Sequence, residues 1–309
     1  MRRKAAIPPS PLAQRDGIDP VRLRLPAEGP WPTIREHLLE RYPERLGERI
    51  DAMLHAGLIL GVDGPVGPGT PFAPLAYLWF HRELPEEVPA PFAAEILYRD
   101  DHLLVADKPH FLATTPRGRH VTQTLLAQLR RDLRLPELSP AHRLDRLTAG
   151  LTMFVITPEH RGAYQTLFRD RLVEKEYEAV APYRPDVDLP RTVRSRIVKQ
   201  HGVLAALETA GEPNSESRIE LAEHRGELGR YRLYPVTGRT HQLRLHMSAV
   251  GLPILGDPLY PRVLDPQAPE DFDRPLQLLS RRLRFTDPVT GEEHHFTSRR
   301  SLNAWPPAV

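Results

Sequence analysis

The sequence contains no cysteine. That removes disulfides and thiolate metal sites from consideration and suits a reducing compartment. Lysine is nearly absent as well: Lys4, Lys108, Lys175 and Lys199 are four of 42 basic residues, so 38 are arginine. Nor is there a long hydrophobic run, and stretches such as 151–156 are too short to cross a bilayer. The basic start, Met1-Arg2-Arg3-Lys4, is followed by no apolar signal core, so a cytoplasmic protein is expected. Excess charge of one sign is missing too, because the formal net charge is only +2. Bulk electrostatics therefore do not by themselves imply nucleic acid.

What is present is a chain of 309 residues, long enough for a large core in one or two domains, with 34 prolines. An arginine bias supports nucleic-acid binding weakly, since a planar guanidinium suits phosphates and base edges. GC-rich coding would produce the same bias. Residues 1–30 show little periodicity and read as an extended or partly ordered arm. From Thr33, Ile34, Leu38 and Leu39, then Ile50, Met53 and Leu54, recur at helical spacing and predict two short helices. A turn at Asp63-Gly64-Pro65 and the run Tyr77-Leu78-Trp79-Phe80 predict a small strand pair. The proline- and glutamate-rich stretch 85–91 reads as a linker, so the expected division is an N-terminal accessory region, 1–91, and a second domain, 92–309.

In the second domain, strands are expected over 96–98 and 103–106, and Val121, Leu125, Leu126, Leu129 and Leu133 share a helix face closed by Pro136. The apolar run 151–157 reads as a buried central strand. Thr157 and Pro158 read as N-cap and first residue of a helix. Val173, Lys175, Tyr177 and Ala179 alternate with glutamates, which puts Tyr177 and Lys175 on one strand face. A strand over 230–234 leads to Thr237-Gly238-Arg239, and a helix over 241–250 should stop at Gly251. Closing strands are expected over 276–285 and 294–297. Strands separated by helices at irregular intervals predict an α+β fold with a mixed, largely antiparallel sheet.

The chemistry centres on His142-Arg143-Leu144-Asp145-Arg146. Positive charge on both sides of Asp145 favours a carboxylate over a carboxylic acid, which suits a nucleophile. An isolated Arg-Leu-Asp-Arg string is more often a solvated ion-pair loop. A catalytic metal is not expected, since His241 and His246 are five apart, not the i, i+4 of a helical zinc pair. A glycosidase would pair Asp145 with a second acid, and none is evident in the same segments.

His142-Arg143-Leu144-Asp145 with Thr148-Ala149-Gly150-Leu151 resembles the HRLDxxTSGL signature of the RluA-type pseudouridine synthases. Residues 237–246, TGRTHQLRLH, resemble a second segment of that family, Lys175-Glu176-Tyr177 its tyrosine strand and Asp107-Lys108-Pro109 an earlier element. Together these cover about residues 92–300. The resemblance implies a pseudouridine synthase fold with a central sheet flanked by helices and a small N-terminal α/β region, loosely similar to a ribosomal-protein RNA-binding module. It implies isomerisation of specific uridines in structured RNA, rRNA or tRNA, by a cytoplasmic monomer without cofactor or metal. In that picture Asp145 is the nucleophile and Arg239 its salt-bridge partner. Tyr177 stacks on the target base, and Arg143 fills the space of the everted nucleotide. Arg146, Lys108, His142, Thr148, His241 and Arg244 are candidate RNA contacts. The family's usual Thr-Ser-Gly is Thr148-Ala149-Gly150 here, a lost hydroxyl expected to tune activity, and Ser280 stands near a position where relatives often carry histidine. A catalytically silent RNA-binding or ribosome-assembly protein on the same fold is the competing reading.

Overall fold

The computed structural model describes residues 7–42, 47–84, 86–87, 89, 91–118, 120–264 and 272–305. The chain divides into two compact units, Met1–Glu86 and Glu87–Val309. The division falls a few residues before the boundary expected near residue 91. Glu87 belongs to the second unit, where its carboxylate accepts hydrogen bonds from the backbone N–H groups of Val121, Thr122 and Gln123.

The first unit runs β1 (Val21–Arg24), α1 (Ile34–Arg41), α2 (Gly47–His55), β2 (Leu60–Gly61), β3 (Gly64–Pro65) and β4 (Tyr77–Phe80). Thr33 and Glu36 form a reciprocal capping box that starts α1. The strands make one sheet in the order β1-β4-β2-β3. Leu23, Ile34, Leu38, Ile50, Leu54 and Leu78 fill the core between helices and sheet. The arm expected over residues 1–30 contains one regular element that was not placed there: β1 lies in it, paired antiparallel with β4. Its weak pattern reflects a four-residue strand with only one fully buried side chain, Leu23.

The second unit follows with β5 (Glu95–Arg99), β6 (Leu103–Lys108), α3 (Leu125–Leu133), β7 (Ser139–Pro140), β8 (Ala149–Val155), α4 (Arg161–Arg169), β9 (Glu174–Pro182), β10 (Arg191–Val198), β11 (Leu207–Thr209), β12 (Ser215–Arg225), β13 (Leu228–Pro235), α5 (Gln242–Ala249), β14 (Leu278–Thr286) and β15 (Glu293–Thr297). The sheet order is β11-β10-β12-β13-β9-β14-β8-β6-β5, with β15 on β14 and β7 on β8. Every pairing between these strands is antiparallel except β14 with β8. The fold is α+β, as expected.

β6 and β8 are buried along their whole lengths, because helices cover both faces of this part of the sheet. Leu103 and Val105 pack with Tyr164 and Leu167 of α4. Leu104 and Ala106, pointing the other way, pack with Leu125, Leu126 and Leu129 of α3. α5 sets Leu243 and Met247 against Ala179, Leu233 and Leu278 of the sheet. Thr157 does not cap a helix side chain to backbone; its hydroxyl donates to the Asp101 carbonyl, and a single 3-10 turn, Pro158–His160, precedes α4.

Gly150 sits where β8 meets β14. Its φ is +108°, and a Cβ there would fall on the Ser280 backbone, so only glycine allows the parallel pair to close. Ala149 beside it is fully buried against Val180, Leu279 and Leu302. A hydroxyl at this position would face the core, so its absence does not remove an RNA contact. Ser280 is likewise fully buried, in register with Tyr177.

Candidate active site

The loop between β7 and β8 carries Asp145 to the edge of an open cavity of about 740 Å³. Local bonds hold the loop from beneath. The Thr148 N–H donates to the Asp145 carbonyl at 3.1 Å, closing a tight turn. Thr114 clamps Leu144 twice, its hydroxyl donating to the carbonyl (2.9 Å) and accepting from the N–H (3.1 Å). His110 Nδ1 donates to the Leu147 carbonyl at 2.7 Å, and Arg146 Nη1 donates to the Phe111 carbonyl at 2.9 Å.

Lys108 is the strongest of these supports. Its ammonium is 0% exposed and donates to the carbonyls of Pro109 (2.9 Å), Leu112 (2.8 Å) and Arg146 (3.2 Å). Burial drives its pKa well below the ordinary lysine value, and the Asp145 carboxylate opposes that shift. The expectation that Lys108 contacts a phosphate is corrected: its three donors are spent on backbone and no solvent reaches it.

Asp145 keeps 33% of its side chain exposed toward the cavity, while Oδ2 lies 3.8 Å from Arg244 Nη1 and 4.0 Å from His241 Nε2. Arg244 and Asp257 are a buried bidentate pair, 2% and 1% exposed, with bonds of 2.8 and 2.6 Å. Asp257 thereby aims the guanidinium, whose remaining nitrogen reaches Asp145. Tyr260 completes the arrangement: Arg244 lies over its ring at 5.5 Å, and its hydroxyl meets His241 Nδ1 at 3.1 Å. His241 adopts the left-handed conformation, φ +56°, at the start of α5, which turns its ring toward both partners. Burial lowers the His241 pKa, against the pull of Asp145.

The two arginines of this segment thus exchange their expected places. Arg239 is exposed, its Nε donating to the Asn214 carbonyl at 3.1 Å, and it lines the cavity rim without an ion pair to Asp145. Arg244, expected on RNA, is the guanidinium at the carboxylate. The reason is helical geometry: α5 begins at Gln242, so Arg244 projects inward from it, whereas Arg239 precedes the helix. Gln242 ties that preceding loop down, accepting from Thr237 Oγ1 (2.7 Å) and the Arg239 N–H (3.0 Å) and donating to the Glu216 carbonyl (2.9 Å).

His142 is also corrected. Its Nε2 accepts the Met153 N–H at 3.2 Å and its ring stacks on Phe168 with centroids 4.3 Å apart. Burial pushes its pKa down to about 3, with Lys175 adding to the effect. It is a neutral spacer, not a cationic phosphate ligand. Thr148, 3% exposed, likewise serves the loop. Arg143 alone of the first motif's cations is exposed at the mouth, with no hydrogen bond or ion pair among the described residues.

Tyr177, on β9, lines the same cavity. Burial pushes its phenol up to about 12, and the Asp145 charge adds to the shift. Asp145 is the one acidic side chain among the lining residues, which include Arg117, Arg143, Arg146, Arg169, Lys175, Arg239 and Arg244. Sequence reasoning missed Thr114, His110, Asp257 and Tyr260. The turn containing Asp257 is a visible feature, but its partner 13 residues earlier is not. Among the described residues no group of three or more His, Cys, Asp or Glu side chains is placed to hold a metal. No helix among them is long and apolar enough to cross a membrane.

Comparison with known proteins places this geometry in context. A family model described as RNA pseudouridylate synthase matches residues 102–249, which contain both motifs and Tyr177. The dual-specificity RNA pseudouridine synthase RluA of Haemophilus influenzae is 33% identical over 224 residues, covering 66% of this chain and 92% of that protein. The Escherichia coli K12 protein of the same name is 34% identical, covering 65% and 90%. Mouse pseudouridylate synthase RPUSD2 is 34% identical over 58% of this chain, which spans only 32% of that longer protein. Among solved structures, human RNA pseudouridylate synthase domain containing 1 aligns with a TM-score of 0.55 at 25% identity, over 70% of this chain and 86% of the other.

Proposed function

This chain belongs to the RluA-type family of RNA pseudouridine synthases, isomerases of uridine in RNA, and on that premise we propose that it converts specific uridines of structured rRNA or tRNA to pseudouridine with Asp145 as nucleophile. The observation that carries the reading is a single carboxylate in a cavity whose lining otherwise carries charge only on basic side chains. RNA is drawn in by the cations, and the carboxylate meets the one nucleotide that enters. The cavity volume, about 740 Å³, lies in the range of small-molecule sites, roughly 300–1,000 Å³.

The reaction breaks the bond between C1′ and N1, turns the base and joins C1′ to C5; C5 loses a proton and N1 gains one. No electrons leave or enter. Asp145 starts it by attacking C1′ or C6 of the base, and Arg244, itself fixed by Asp257, holds the carboxylate in place from 3.8 Å. Tyr177 offers a ring face to the base. A phenol raised to about 12 keeps its proton at neutral pH, so any transfer from C5 through it is a relay in which it gives one proton while taking another. Extraction of the base from its stack costs a few kcal/mol, and Arg143, exposed at the mouth, suits the vacated space.

A catalytically silent RNA binder has no use for the Asp257–Arg244–Asp145 arrangement, because burying charge is costly unless a function retains it. The N-terminal unit fits the part of an accessory module, and the whole acts as a cytoplasmic monomer in this reading. The test is to map pseudouridine across total RNA from cells with and without the protein, then with the Asp145→Asn form. At least one uridine should lose its mark in both deficient samples; identical maps would remove the proposal.

A further inference from the structure

We propose that Lys175 is the anchor for a backbone phosphate beside the everted uridine, a positioning contact that sets how tightly the RNA strand is held. The inference rests on the synthase reading given above.

Lys175 stands two residues before Tyr177 on β9 and lines the same cavity. Side chains at i and i+2 share a strand face about 6–7 Å apart, a span comparable to that between a base and its own backbone. A base stacked on Tyr177 therefore brings the adjoining sugar-phosphate within reach of the ammonium.

Its surroundings supply no counter-charge. His142 faces it from the motif loop and is neutral, since burial holds that imidazole near 3. From the end of α4 and the following turn come Arg169, which lines the cavity, and Arg171, which acts on Lys175 electrostatically. The position opposite on β14 is Leu283. Glu174 and Glu176 adjoin it in sequence but alternate to the other face, where they lie 3.9 Å from Arg284 and 3.2 Å from Arg282. Asp145, in the same cavity, is already met by Arg244 and His241. Lys175 has no hydrogen bond or ion pair among the described residues. Lys108, by contrast, donates to three carbonyls.

A half-buried ammonium among cations is retained at a cost unless an anion completes it. The anion that an RNA strand brings into this cavity is phosphate. Burial and Arg171 lower Lys175 to about 8, so the anchor is charged at neutral pH and released in mild alkali.

The test uses the full chain and a transcript spanning the uridine that it modifies in total RNA. Lys175→Gln is expected to raise KM about tenfold, the effect of one charge-assisted hydrogen bond, while kcat moves less. The slope of log kcat/KM against log salt should become shallower by about one. Lys175→Arg should keep KM and hold kcat/KM to higher pH than the natural protein, because a guanidinium does not deprotonate there. Arg282→Gln, which removes one positive charge from the other face, should leave the salt slope unchanged. Unchanged KM and slope in Lys175→Gln, or an equal loss of slope in Arg282→Gln, would overturn the anchor. Should Lys175→Gln fail to fold, Lys175→Arg decides, and an alkaline limb identical to the natural protein's counts against it. A natural protein that modifies no uridine at all instead refutes the synthase reading.

Discussion

The floor and the rim of the cavity are built from the same residue types and behave oppositely. On the floor, Lys108 and Arg244 are buried and fully bonded, one to three carbonyls and the other to Asp257. Around the rim, Arg143 and Arg239 are exposed and Lys175 is half-buried, and all three line the cavity. Floor cations therefore act on protein, positioning one carboxylate and the loop that bears it. Rim cations are available to a polyanion. The difference teaches that an arginine or lysine in a motif has no role until its burial and partners are known.

The comparison breaks first at the carboxylate. Asp145→Asn keeps the shape of the floor and removes the proposed nucleophile, so turnover should fall by at least about 10³-fold with an unchanged melting temperature; single-turnover assays and thermal melts check both. Arg244→Ala comes next. It leaves Asp257 buried without its counter-charge, and a loss of about 3–5 kcal/mol of stability is expected in chemical denaturation, together with most of the activity. Lys108→Met should cost stability too, about 1–3 kcal/mol from carbonyls left unsatisfied, and lower kcat more than it raises KM.

Rim substitutions should look different. Arg143→Ala and Arg239→Ala should leave stability within about 0.5 kcal/mol and flatten the salt dependence of RNA affinity by about one each. If either instead lowers the melting temperature as Arg244→Ala does, the division between floor and rim is wrong. The smallest effect concerns His142. Its folded pKa, about 3, lies below the ordinary value of 6.5, so the unfolded chain binds the proton more readily. Stability from this residue is present above about pH 6.5 and is lost as pH falls toward 3. Replacing it with glutamine, which can still accept the Met153 N–H, should move the acid-unfolding midpoint to lower pH by circular dichroism.

Much of this is legible in the sequence. The alternation around Tyr177 placed it on one strand face with Lys175, and both line the cavity from β9; the apolar run after Asp145 became β8. The helix expected over 241–250 is α5, ending at Gly251, whose φ is +80°. Those features depend on neighbours within a few residues, where periodicity carries the information. β1 was not legible, because a four-residue edge strand shows its pattern only once paired with β4, more than 50 residues later. The assignment of Arg239 in place of Arg244 failed for a related reason. Both lie within one motif, and spacing along a line cannot say which of two arginines turns inward when a helix starts between them.

By itself the sequence determined which residue types assemble here: one aspartate between arginines, a tyrosine on an alternating strand, and a glycine that β8 requires. These follow from local sterics and charge, which act over a turn or a strand. Only the tertiary structure decided which cation meets the carboxylate and which meet the solvent. That choice rests on contacts such as Arg244 with Asp257 and Lys108 with Arg146, whose energies arise from burial, and burial is a property of the packed chain.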